Sequence, residues 1–178
     1  TSTGTLNIND FEITRISAPP VEDLYGCMAN PTGDPIAGGV GYSDIIDPDE
    51  ADYMVSTHDE LVNAFEEASP GDIVYVEADA KIDLSSRGKN YITIPGGITF
   101  ASNRGQDGAP GGLIYTNYDD FSGYDILRMF KTGGEDIRVT GLRISGMDGE
   151  VGDEPYGEGL CMAIDGGSDS YIEVDNCE

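Results

Sequence analysis

Three groups of residues in this chain have types that chemistry could use. The run GMDGEVGDEPYGEG, residues 146 to 159, places Asp148, Glu150, Asp153, Glu154 and Glu158 among glycines. Carboxylates are hard oxygen ligands and glycines let a loop wrap tightly, which is what Ca²⁺ requires. The ligand order is not that of an EF-hand, and in a chain this acidic the run also reads as surface solvation. The second group is LIYTNYDDFSGY, residues 113 to 124, where Tyr115, Tyr118, Phe121 and Tyr124 surround Asp119 and Asp120. Aromatic faces beside carboxylates suit sugar stacking and hydroxyl hydrogen bonds, although packing of a long loop would use the same residues. The third is a set of arginines, Arg104, Arg128, Arg138 and Arg143. Arg138 and Arg143 alternate with apolar neighbours and are expected to face solvent. His58 falls in the first turn of a helix and is expected to be exposed; no Ser/His/Asp set forms around it, and no phosphate loop or zinc spacing is present.

The charge balance narrows the partners. Thirty-four Asp and Glu oppose 9 Lys and Arg, a formal net charge of -25 over 178 residues. Such a surface repels itself at ordinary ionic strength. In molar salt the Debye length falls to about 3 Å and the repulsion largely disappears. Dispersed carboxylates with only three lysines (Lys81, Lys89, Lys131) suggest a halophile's surface. Nucleic acid is a poor partner, because phosphate binding needs a basic footprint. No apolar run approaches the length of a membrane span. The opening TSTGTLNIND is compatible with a processed N-terminus, as an exported protein would have. Cys27, Cys161 and Cys177 have no metal-type spacing; Cys161 and Cys177 read as either a disulfide or two small buried residues.

The elements that position these residues follow from periodicity. Residues 1–52 read as an extension with an early strand and ordered loops rich in glycine and proline. In THDELVNAFEEASPGD, Thr57 and Glu60 form a capping-box signature, Leu61, Ala64, Phe65 and Ala68 share a helical face, and Pro70-Gly71 stops the helix. After it come short strands. In IRVTGLRISG, residues 137 to 146, a hairpin would force Thr140-Gly141 into a loop that β-branched residues resist, and would oppose Arg138 to Arg143. A corner at Gly141 has neither problem. The same pattern recurs around Pro95-Gly96-Gly97. Strand starts at Ile73, Ile92, Leu113, Ile137 and Ile172 suggest coils near 20 residues once 147–159 is set aside. Short strands in near-constant coils predict an all-β fold, a parallel β-helix spanning 53–178 with the helix laid over its open end as a cap.

At DELVNAFEEASPGDIVYVEADAKIDL, VTGLRISG and IEVDNCE the chain resembles the N-terminal part of the right-handed parallel β-helix, or pectate-lyase-like, superfamily. It is similar in particular to haloarchaeal β-helix proteins with an NPTGDPIAGGVGY-like segment. The resemblance implies an extracellular or cell-surface setting and an association with polysaccharide or cell-surface glycan, by binding or by lyase or hydrolase action. A non-catalytic structural or adhesive subunit is the alternative. In that family a turn asparagine at the place of Asn176 often stacks on its counterpart in the next coil. The family's catalytic arginine motif has no match here, so no catalytic residue is assigned. The last strand, with Ile172 and Val174, is expected to be continued by further coils or covered by another chain.

The charge makes a direct prediction: the melting temperature rises as KCl increases from about 0.1 to 3 M. A flat or falling melting temperature in a thermal scan over that range contradicts the halophilic reading.

Overall fold

The computed structural model describes residues 46–104, 106, 109–118, 126–146, 160–168 and 171–178. Eleven strands and one α-helix follow one another: β1 (Tyr53–Val55), α1 (His58–Glu67), β2 (Ile73–Val76), β3 (Lys81–Asp83), β4 (Ile92–Ile94), β5 (Thr99–Ala101), β6 (Leu113–Tyr115), β7 (Ile126–Thr132), β8 (Ile137–Thr140), β9 (Arg143–Ser145), β10 (Leu160–Asp165) and β11 (Ile172–Asp175). They form three sheets, β1-β2-β5-β8-β11, β3-β6-β9 and β4-β7-β10, and every pairing is parallel. From β2 onward each strand pairs with the strand three places later, so the chain visits the three sheets in turn. The described residues are thus mostly β, with parallel sheets and one α-helix among them, an arrangement consistent with a β-helix-like fold.

Register explains the core. Val74, Phe100 and Val139 are partners in the first sheet, Ile82, Ile114 and Ile144 in the second, and Ile92, Phe130 and Ile164 in the third. Members of all three rows belong to one apolar cluster. Parallel strands covered on their inward face need apolar residues at alternate positions, and the short Ile/Val-rich strands supply them.

The corners obey a tighter rule. β8 and β9 lie in different sheets, so Thr140-Gly141 turns a corner, as the alternation requires. Gly141 has φ +69°, and a Cβ there would drive into the Ser102 carbonyl oxygen of the level below. Only glycine meets both demands. The residues that follow the register partners Ala101, Thr140 and Asp175 are Ser102, Gly141 and Asn176. Asn176 therefore follows Gly141 and Ser102 at the corresponding corners of the preceding levels. It adopts φ 52°, which asparagine tolerates, and donates its amide to Asp175 Oδ1 at 2.9 Å.

Coil length is where the expectation needs correction. Ile73, Ile137 and Ile172 start strands of the first sheet, but Ile92 belongs to the third and Leu113 to the second. The level-to-level column Tyr53, Val74, Phe100, Val139, Val174 has separations of 21, 26, 39 and 35 residues. Strands of all three sheets turn the same residue types inward, so their starts look alike in sequence. Loops that connect strands commonly vary in length, which leaves the circuits unequal.

Helix α1 closes one end of the interior. Thr57 Oγ1 accepts from the Glu60 N–H, and Glu60 accepts from the Thr57 N–H, completing the capping box. Leu61 is fully buried and Phe65 is 6% exposed. The Phe65 ring meets Phe100 edge-on at 5.0 Å between centroids and Phe130 at 6.4 Å, joining the helix to two of the sheets. Of the N-terminal extension, 46–52 is described. Asp52 makes two bonds to Ile73, one through its N–H and one through its carboxylate, which tie it to β2.

At the opposite end, Val174 of β11 is 53% exposed, and Tyr171 just before the strand is 79% exposed. Among the described residues, no helix is long and apolar enough to cross a membrane.

Phe65→Ala should cost about 3 kcal/mol or more, since it removes a buried aromatic and its two edge contacts. Urea unfolding in high salt measures this. A cost near zero would show that the helix does not close the core.

Candidate functional site

The loop between β3 and β4 positions most of the polar groups that meet on the outer surface. Asp83, at the end of β3, accepts from both the N–H and the hydroxyl of Ser85. With a further bond from Tyr115, its register partner, these hold the Asp83 carboxyl below its ordinary range, Ser85 contributing most. Ser85 Oγ in turn accepts from the Asn117 N–H at 2.8 Å. Tyr115 is thus held by Asp83. Tyr118 packs its ring over Gly88, whose φ of +59° turns the loop.

Arg87 closes the same loop on itself. Its Nε donates to the Asn90 carbonyl at 3.1 Å and Nη2 to the Tyr91 carbonyl at 3.3 Å. Its Nη1 lies 3.4 Å from His58 Nε2, while His58 Nδ1 lies 2.8 Å from Asp59. An imidazole protonated on Nδ1 satisfies both neighbours, donating to Asp59 and accepting from Arg87. His58 is therefore half-buried and joins the cap helix to this loop, where the sequence suggested an exposed residue.

Beside the loop runs β7. Arg128 and Arg87 line a shallow depression with Gly88, Asn90, Thr116 and Leu127. It has space for about one water molecule. A sugar ring would have to lie across it, not within it. Arg128 Nε donates to Asp165 of β10, and the register partner of Asp165 is Lys131. Arg128 first, the Gly167 N–H next and the two cations' charge hold the Asp165 carboxyl below its usual range. Lys131 Nζ lies 5.7 Å from the Tyr91 ring centroid, a cation–π contact. Tyr91 is 43% exposed. Arg87, Arg128 and Lys131 are therefore gathered around Tyr91 and Asp165, in a chain where acids outnumber bases more than three to one.

The other described arginines tie one level of the fold to the next. Arg138 faces outward as expected but is not solvated: its side chain is 15% exposed and grips Asp175 through Nε at 2.9 Å and Nη2 at 3.2 Å. Asp175 also accepts from Thr140 Oγ1 at 2.6 Å and from Asn176. Alternation shows which way a side chain points, not whether a carboxylate 37 residues away will meet it. Arg143 donates twice to the Gly111 carbonyl, and Arg104 pairs with Glu178 at 2.9 Å.

Of the aromatic group, Tyr115 and Tyr118 are placed at the rim of this face; Asp119, Asp120, Phe121 and Tyr124 lie outside the described residues. So do the five carboxylates considered for Ca²⁺, Asp148, Glu150, Asp153, Glu154 and Glu158. Among the described residues, no group of three His, Cys, Asp or Glu side chains could hold a metal ion. Cys177 is a free thiol near the Val139 carbonyl, and burial pushes its pKa up to about 11. No family model, curated protein or solved structure matches this chain.

Sequence reasoning missed Arg87, Lys131, Tyr91 and Asp165 as a group. The signal was the scarcity of cations: four of the nine, Arg87, Lys89, Arg128 and Lys131, fall on the β3–β4 loop and on β7. Only the β4–β7 pairing shows that these segments are neighbours.

Proposed function

We propose that this chain is a carbohydrate-associated protein of a high-salt, extracellular or cell-surface setting, built as a right-handed parallel β-helix of the pectate-lyase-like kind and binding an acidic polysaccharide on its outer face. The handedness is supported by the strong preference of parallel strand crossovers for the right-handed form. The observation that carries the function is the meeting of Arg87, Arg128 and Lys131 beside Tyr91 and Tyr118. Guanidinium and ammonium groups next to an exposed ring offer charge-assisted bonds to uronate carboxylates and a surface on which a sugar stacks.

High salt fits this reading. A polyanion approaching a protein of charge -25 is repelled at long range, and molar salt removes that barrier while leaving contact pairs in place. A second reading, a non-catalytic adhesive or structural subunit, is favoured by one observation. Arg104, Arg138 and Arg143 are each engaged in bonds between levels, which suits binding better than proton abstraction.

Isothermal titration at about 2 M KCl should show binding to polygalacturonate and none to neutral dextran. The Arg128→Gln/Lys131→Gln double variant should lose about tenfold in affinity. Equal binding to both polymers, or none to polygalacturonate, contradicts the proposal.

A further inference from the structure

We propose that Asp165 is an internal competitor for the acidic ligand, occupying Arg128 and Lys131 until a carboxylate from outside takes its place. This rests on the reading of the same face as an acidic-glycan surface. Two Arg–Asp pairs of this fold have the same chemistry and different surroundings. In the first, Asp175 is 2% exposed, receives Thr140 and Asn176 besides Arg138, and sits under a guanidinium that is 15% exposed. Breaking it would leave a buried charge without a partner, so it is permanent.

In the second, Arg128 and Asp165 are 37% and 24% exposed. Among the described residues, the Asp165 carboxylate also accepts from the Gly167 N–H at 3.1 Å, and that bond survives if Arg128 turns away. Water reaches both partners, so exchanging one carboxylate for another on Arg128 leaves neither charge stranded. The register places Lys131 beside Asp165, so a carboxylate arriving there meets the ammonium as well as the guanidinium. The exposed Tyr91 ring, 5.7 Å from Lys131 Nζ, gives the incoming sugar its apolar contact. An internal carboxylate at this point also selects: a neutral or singly weak ligand cannot displace it, whereas a polymer of repeated carboxylates can.

The test compares the wild type, Asp165→Asn and Asp165→Glu in titrations with polygalacturonate at about 2 M KCl. Asp165→Asn keeps the shape and the acceptor for Gly167 but removes the charge. It should bind about fivefold more tightly, and Asp165→Glu should return toward the wild-type affinity. If the wild type binds and Asp165→Asn binds equally or more weakly, Asp165 positions Arg128 and does not compete, and the inference is wrong. If neither protein binds polygalacturonate, the glycan reading itself fails and takes this inference with it. Should Asp165→Asn not fold, the Arg128 Nε–H resonance of the wild-type protein reports the same event. It should shift on adding polygalacturonate, and an unmoved resonance in a bound sample overturns the proposal.

Discussion

The structure depends on a single geometric demand: each circuit must climb by one strand spacing, about 4.8 Å, and return the same face of the chain to the inside. The parallel registers satisfy it by stacking Val74, Phe100 and Val139 in one sheet and Ile92, Phe130 and Ile164 in another. A climb this small leaves almost no room at the corners, where backbone lies on backbone. Gly141 sits on the Ser102 carbonyl, and a Cβ at Gly112 would strike the Val76 side chain. Ser102 fills its own corner by donating to the Val76 carbonyl and accepting from the Gly112 N–H, each at 2.8 Å. Small residues at these places are a requirement of the stack, and the strands on either side take their register from them.

The same geometry decides what the few cations do. Outward-facing arginines on adjacent levels come within reach of carboxylates and carbonyls one circuit away. Arg138 with Asp175 and Arg143 with the Gly111 carbonyl act as clamps across the levels. In a chain of charge -25, such contacts survive high salt better than long-range attractions do, because they are short and partly shielded from water. Arg128 is more open than Arg138, 37% against 15% exposed, and Arg87 and Lys131 both meet Tyr91. The proposed function rests on that difference in surroundings, since a scaffold alone hosts many activities.

Much of the fold was legible because it rests on local rules. The Thr57/Glu60 box, the Leu61–Phe65 face and the Gly141 corner each follow from a handful of neighbouring residues, and each is present. Circuit length was not legible, since strands of different sheets present the same inward types and only long-range pairing sorts them. Strand β1 was also missed: three residues before a capping box carry no periodic signal, and its pairing with β2 supplies what makes it a strand. For the site, Tyr115 and Tyr118 were found as aromatics beside acids, yet the acid that Tyr115 meets is Asp83, 32 positions earlier and brought to it by the β3–β6 pairing. The cation group escaped notice because Arg87 and Lys131 stand more than forty positions apart and meet only when β4 lies on β7.

The most direct test of the stacking is a nuclear Overhauser experiment on methyl- and aromatic-labelled protein in high salt. The account predicts contacts between the Val139 methyls and the Phe100 ring, 39 residues apart, and between Val74 and Phe100, as the parallel registers place them. Cross-strand contacts pairing Ile137–Thr140 antiparallel with Arg143–Ser145, with none from Val139 to Phe100, would contradict it. They would mean that Thr140-Gly141 closes a hairpin and that the three-sheet stack does not exist.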